Sequence, residues 1–336
     1  MSRRQQLIVL AGVLISLVFL FLAFQGLNPG DVIGVIGEAN IFLLIVAAVW
    51  YFPSVLLISK RWGYLLHGLK PLSATQLFPL VCIGYMGNNV YPFRAGEFLR
   101  AFLLQRTYKV PVAQSLVVTV IERVFDGLVM LTFILFGLSF LDSTSPELDS
   151  IVRVATPLFL VLLVIFIGLA AKPDLLRKLV EWALRILPEK LRTPLFSLSE
   201  DILKGFEGFR SPRDLAGAVV FSYVCWGLQA TVYWLVAYAF NIEISFATSL
   251  LLIGAINLAG LIPASPGQVG IFEFFTIAVL GLVGVQEIRA TAYAITVHII
   301  IWLPVTILGF YYLVKQGLGW NAITNAHALE EKAAHS

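Results

Sequence analysis

The chain has 336 residues, of which 59% are hydrophobic and 13% charged, far below the roughly one-quarter charged content of a soluble domain. That composition excludes a water-soluble enzyme and defines a polytopic membrane protein. The formal net charge of +3 is too small to argue for a nucleic-acid partner.

In chain order, Leu7 to Phe24 is apolar and follows Arg3 and Arg4. No small-x-small cleavage pattern comes after it, so it reads as an uncleaved signal-anchor. Six full spans are expected at 7–24, 41–59, 112–140, 152–171, 215–240 and 290–316. Each is long enough to cross about 30 Å of hydrocarbon at about 1.5 Å per residue. Two further hydrophobic hairpins, 72–106 and 246–285, are interrupted. The first break reads Gly84-Tyr85-Met86-Gly87-Asn88-Asn89-Val90-Tyr91-Pro92-Phe93-Arg94-Ala95-Gly96-Glu97, the second Gly254-Ala255-Ile256-Asn257-Leu258-Ala259-Gly260-Leu261-Ile262-Pro263-Ala264-Ser265-Pro266-Gly267-Gln268-Val269-Gly270-Ile271-Phe272-Glu273. Residues 172–213 are the one sizeable polar stretch. Asp174 to Arg185 has helical amphipathic spacing, suited to an anionic inner leaflet or to a solvated connector. Residues 1–319 form a single transmembrane domain and 320–336 a disordered tail.

The lysines and arginines set the topology. With the N-terminus inside, all of them except Arg123, Arg153 and Arg289 fall on the cytoplasmic side. This places both ends in the cytoplasm of a multi-pass inner-membrane protein. The first hairpin then enters and leaves from inside and the second from outside. The expected fold is all-α, with six spans and two opposed re-entrant hairpins related as an inverted repeat.

Irregular backbone at membrane depth is tolerated only where it is buried in protein or lines a wet cavity. Ser265-Pro266-Gly267-Gln268 has the form of a helix start with a capping box, and Pro92 is placed to begin the helix carrying Arg94, Glu97 and Arg100. Two helix N-termini facing inward would suit a phosphate. Glu122, Arg123 and Asp126 lie inside the span 112–140. Each charge held there costs about 2.5–3.5 kcal/mol unless it finds a partner or water. The simplest pairing sets Arg94 or Arg100 against Glu122 or Asp126, and Glu97 against Arg123. These groups are read either as contacts for substrate or protons or as a purely structural ion-pair cluster.

Glu273 has no obvious basic neighbour in sequence, so it is read as a proton carrier or a cap, and His298 as an interior histidine or a proton relay. The tryptophans at 50, 62, 226, 234, 302 and 320 are expected as interfacial anchors. Cys82 and Cys225 lack ligand spacing, and neither a metal site nor a cofactor is expected.

The run from Gly87 through Asn88, Asn89, Pro92, Arg94, Gly96, Glu97 and Arg100 resembles the lysylphosphatidylglycerol synthase transmembrane, flippase-like family. So do Glu122-Arg123-x-x-Asp126-Gly127 and Pro263-x-x-Pro266-Gly267-x-x-Gly270-x-x-Glu273. The resemblance implies a translocator for a lipid such as an aminoacylated phosphatidylglycerol or a polyprenyl-phosphate lipid. It also implies a glycosyltransferase or aminoacyltransferase as a working partner. The full-length synthase carries a soluble aminoacyltransferase domain after its membrane region, whereas this chain ends soon after its last span, so no catalytic activity is expected of it. No ATP-binding loop is present, and transport would be passive or driven by an ion gradient. The alternatives are a component of a lipid-linked glycosyltransferase system and a secondary transporter of a small anion. No small-residue interface motif argues for an oligomer.

Overall fold

Short polar caps mark where the helices begin. Asn28 accepts from Gly30 N at 3.0 Å, Asn40 from Phe42 N at 3.1 Å, and Ser245 from Thr248 N at 3.1 Å. Ser73 and Gln76 form a reciprocal capping box, which satisfies amides that have no partner inside the helix. The computed structural model describes residues 3–91, 94–141, 211–260 and 266–316, with side chains from residue 13 onward, and the isolated positions Pro157 and Val161. Apart from those two positions the expected span 152–171 lies outside the described residues, as do all but the end of the connector 172–213, the tail 320–336, Pro92, Pro263 and Ser265.

Among the described residues every regular element is helical. The first half holds α1 (Arg3–Phe24), α2 (Pro29–Gly37), α3 (Ile41–Leu66), α4 (Ala74–Val90), α5 (Ala95–Tyr108) and α6 (Val112–Leu138). The second holds α7 (Pro212–Ala239), α8 (Phe246–Ala259), α9 (Ile271–Leu282) and α10 (Glu287–Lys315). Helices α3, α7 and α10 are long and apolar enough to cross a membrane, and α1 with α2 makes a fourth candidate bent by 75°. Helix α2, which Asn28 caps and Pro29 begins and which carries Asp31 in its first turn, lies between the expected spans 7–24 and 41–59. Helix α6 has the length to cross, but Glu122, Arg123 and Asp126 interrupt its apolar sequence.

The two halves pack alike. Helix α3 runs antiparallel to α7. Asn40 N donates to Ala239 O at 2.8 Å at one end, Trp50 Nε1 to Thr231 Oγ1 at 2.7 Å midway, and His67 Nδ1 meets Asp214 Oδ2 at 2.8 Å at the other end. Helix α4 packs on α10 as α8 packs on α6, and α5 bridges α4 and α6 as α9 bridges α8 and α10. A glycine permits each of the matching crossings. At Gly309 a Cβ would press on Cys82 and Met86 of α4, and at Gly137 on Ala247 and Leu251 of α8.

Both interrupted segments are thus packed helix pairs, α4 with α5 and α8 with α9. The arms of the first pair come into backbone contact. A Cβ on Gly87 would strike Gly96, and one on Gly96 would strike Gly84 O and Asn88 N. Small residues alone allow so close an approach.

Candidate functional site

The charges of α5 and α6 gather against α3. Arg100 Nη2 donates to Glu122 Oε2 at 2.6 Å and to Thr119 Oγ1 at 3.3 Å, with its guanidinium 4.3 Å from the centre of the Trp62 ring. Arg61 Nη2 donates to Glu122 Oε1 at 2.6 Å while its Nη1 bonds Asp126 Oδ1. Arg123 Nη2 lies 3.2 Å from Glu122 Oε1 and 3.2 Å from Asp126 Oδ2. Trp226 Nε1, from α7, donates to Asp126 Oδ1 at 2.6 Å. Four helices therefore supply one buried network, and its low dielectric strengthens each bond within it.

The Arg100–Glu122 pairing and the approach of Arg123 to Glu97 agree with the expected pairs. Arg61 is absent from the expected pairs. It follows Lys60 at the end of a predicted span and reads there as cytoplasmic charge. Yet α3 continues to Leu66, and Ile58, Arg61, Trp62 and Leu65 are all buried at helical spacing, a stripe visible in the sequence. Trp62 and Trp226 are likewise interior residues, 0% and 6% exposed, rather than interfacial anchors. One is stacked against a guanidinium and the other hydrogen-bonded to a carboxylate.

Charge within the cluster is unevenly neutralised. Arg61, Arg94, Arg100 and Arg123 face Glu97, Glu122 and Asp126, four guanidiniums against three carboxylates. Arg61 and Arg100 are buried on carboxylates, whereas Arg94 and Arg123 each keep 35% of their side chains exposed. These two approach the same oxygen, Glu97 Oε1, from 3.7 and 3.8 Å. Arg123 also keeps Glu122 and Asp126 at 3.2 Å, so the excess positive charge sits at the rim toward Arg94, at the start of α5. Helix α5 itself begins at Ala95 rather than at Pro92. Arg94 occupies the N-cap position in a left-handed conformation, φ 52°, which is uncommon for a residue other than glycine.

The second break is built differently from its expected form. Pro266–Gln268 is one turn of 3₁₀ helix rather than a helix start, with Gly267 at φ 71° and Gln268 at φ 61°. Helix α9 starts at Ile271, where Glu273 Oε2 accepts from Gly270 N at 2.6 Å. A carboxylate of the chain therefore already caps this N-terminus, which the sequence reading offered to an anion. Glu273 also has a basic partner 25 positions away: His298 Nδ1 lies 2.6 Å from Glu273 Oε1. His298 Nε2 lies 2.9 Å from Gly267 O, and the Phe272 ring stacks on the imidazole at 4.2 Å.

The two breaks meet. Asn89 Nδ2 donates to Thr306 Oγ1 at 2.8 Å and to Trp302 O at 3.3 Å. A Cβ on Gly267 would lie 2.7 Å from Trp302 Nε1 and 3.4 Å from Asn89 O. Asn88 packs on Gly96, and Gly270 fits against the backbone of Ser16 in α1. Of the residues singled out in the sequence, Asn88, Arg94, Glu97, Arg100, Glu122, Arg123 and Asp126 gather around the first break. Asn89, Gly267, Gly270, Glu273 and His298 gather around the second.

Interrupted helix pairs, apolar spanning helices and a buried arginine–carboxylate network define a multi-pass helical membrane protein. Within that class, residues 9–309 match the family described as "Lysylphosphatidylglycerol synthase TM region", and the chain belongs to that family. It is similar to a protein named Glycosyltransferase AglD from Haloferax volcanii, 26% identical over 320 residues, which cover 86% of this chain and 51% of that protein. The chain thus spans about half the length of that relative. It is also similar to a UPF0104 membrane protein of Pyrococcus horikoshii, 24% identical over 331 residues, 93% of this chain and 97% of the relative. A UPF0104 membrane protein of Methanothermobacter thermautotrophicus is 22% identical, covering 88% of this chain and 90% of its own length.

Proposed function

We propose that the chain moves a lipid with an anionic head group between leaflets, an aminoacylated phosphatidylglycerol or a polyprenyl-phosphate lipid, passively or driven by an ion gradient. The observation that carries this reading is the excess positive charge at the rim of the cluster. Arg94 and Arg123 are the guanidiniums left part-exposed there, and a phosphate suits their fork-shaped donors. Arg61 and Arg100, held by carboxylates, keep the rim in place. Glu97, between the two rim arginines, is positioned to meet an amine on the same head group. The matched packing of the halves supports an inverted repeat, with the two helix pairs entering an inner membrane from opposite faces and both chain ends in the cytoplasm.

The test is leaflet exchange by purified protein in liposomes carrying fluorescent phosphatidylglycerol, its aminoacylated form or a polyprenyl-phosphate. Exchange by the wild type, lost in Arg94→Ala and Arg123→Ala, supports the assignment. Unaltered exchange in both variants removes it.

A second reading draws on the relative named a glycosyltransferase: the chain acts as a membrane component of a lipid-linked glycosyltransferase system, with a glycosyltransferase or aminoacyltransferase as partner. A changed lipid product when purified protein meets a sugar donor, without leaflet exchange, would favour it.

A further inference from the structure

The geometry points to His298 and Glu273 as a one-proton latch that holds the second break against the first. Gly267 O can only accept, so the 2.9 Å contact with His298 Nε2 requires a proton on Nε2. Glu273 Oε2 accepts from the Gly270 amide, which leaves Oε1 for His298 Nδ1 at 2.6 Å. A bond of that length needs a proton between the two atoms. Two arrangements supply it, imidazolium with carboxylate or neutral imidazole with carboxylic acid. Both carry the same proton count and no net charge, which suits groups that are 8% and 5% exposed.

Loss of that proton to solvent leaves an imidazole with one N–H for two acceptors. If Nε2 keeps it, the Nδ1 lone pair faces the carboxylate at 2.6 Å. If Nδ1 keeps it, the strong bond to the carboxylate survives and the Nε2 lone pair turns on Gly267 O. The second arrangement costs less, because a hydrogen bond to an ionised group outweighs one to a neutral carbonyl. Deprotonation therefore breaks the contact that ends at Gly267. Gly267 is the residue fitted between Trp302 and Asn89 O, and the turn around it has left-handed backbone at Gly267, Gln268 and Gly270. Protonated, the latch keeps the two breaks together. Deprotonated, it gives up its hold on Gly267 and loosens the second break against the first.

Few other charges bear on the pair. Helices α4 and α8 carry none, α1 has Arg3 and Arg4 at its far end, and α2 has Asp31. Arg61 of α3 is held by Glu122 and Asp126, and Asp214 of α7 by His67. Lys60 of α3 lies over Tyr64. Glu287, Arg289 and Lys315 lie at the ends of α10. Tyr233 of α7 lies 6.3 Å from the Phe272 ring, α4 carries the titratable Cys82 and Tyr85, and Arg213 sits in the first turn of α7.

As a latch the device stands on its own geometry; as the means by which a proton gradient drives transport it rests on the translocator reading. The test uses the full chain in lipid nanodiscs from pH 5 to 9. It follows deuterium exchange of the backbone at 266–273, corrected for the intrinsic pH dependence, beside leaflet exchange in liposomes with and without a pH gradient. Between the pH at which the open segment gives up the proton and the higher pH at which the latched pair does, the wild-type segment should open up to about tenfold more for each pH unit, the slope of one proton, and level off above that window. Glu273→Gln and His298→Gln should each flatten that slope, with folding checked by thermal melting. A flat wild-type profile overturns the latch, whatever the lipid does. A sloped profile that both variants flatten supports it, and if no lipid then moves, the transport reading fails alone.

Discussion

Arg61 Nη2 and Glu122 Oε1 lie 2.6 Å apart, with each residue 1% exposed, and this pair ties α3 to α6 where the sequence offered only a cytoplasmic flank. Glu122 also receives Arg100 and Arg123. Removing one member of such a pair leaves charge buried without a partner, at a cost of about 3–5 kcal/mol. Glu122→Ala and Arg61→Ala should each lower the melting temperature sharply. The double variant should lose less than the sum of the two, because it strands less charge. Additive losses by thermal melting would mean that the two groups are not coupled.

Arg94 should behave in the opposite way. It is 35% exposed and meets Glu97 at 3.7 Å, and a pair of that kind contributes only about 0–1 kcal/mol to stability. Arg94→Ala should therefore melt close to the wild type while losing most leaflet exchange. A large loss of stability with intact exchange would make Arg94 a structural residue.

Glycines at the helix crossings differ in what surrounds them. Gly96→Ala drives a methyl into Gly84 O and Asn88 N, whereas Gly127 has nothing within 4 Å of its Cβ direction. Overpacking of this kind costs about 1–3 kcal/mol or more. Gly127→Ala, within α6, should be neutral or stabilising by up to about 1 kcal/mol. Equal melting of the two variants would refute the close approach of α4 and α5.

The matched crossings make a paired prediction. Gly137→Ala meets Leu251 Cβ and Ala247 O, and Gly309→Ala meets Met86 Cβ and Cys82 O. Both should destabilise by a similar amount, about 1–3 kcal/mol. A loss confined to one of them would show that the halves do not share their packing.

Trp226→Phe keeps the ring and removes the Nε1–H that Asp126 Oδ1 accepts at 2.6 Å. A buried carboxylate that loses such a donor should cost about 1–3 kcal/mol, read from denaturation. No change would return Trp226 to a packing role.

Much of the fold was legible because helix breakers are local. Glycine, proline and asparagine interrupt the apolar runs within 84–97 and 254–273, and α4 ends there at Val90 and α8 at Ala259, although Gly84, Gly87, Asn88 and Asn89 remain helical. The Arg100–Glu122 pair was legible because a membrane helix seldom keeps a charge without a partner. Arg61 was not, because positive charge beside a span satisfies the topology rule whether it faces water or protein. The start of α9 was misplaced for a related reason. Ser265-Pro266-Gly267-Gln268 carries the signature of a capping box, but Gly267 and Gln268 adopt positive φ and Glu273 caps Gly270 instead. His298 lies 25 positions from Glu273, and no local pattern could join them.

The glycine seam between α4 and α5 also has a mechanical meaning. With Gly84, Gly87 and Gly96 bringing the two backbones together, α4 and α5 pack as one thick strut. The same strut carries Asn89, which bonds Trp302 and Thr306, and Arg94, Glu97 and Arg100, so the contacts of the two breaks are borne on one body.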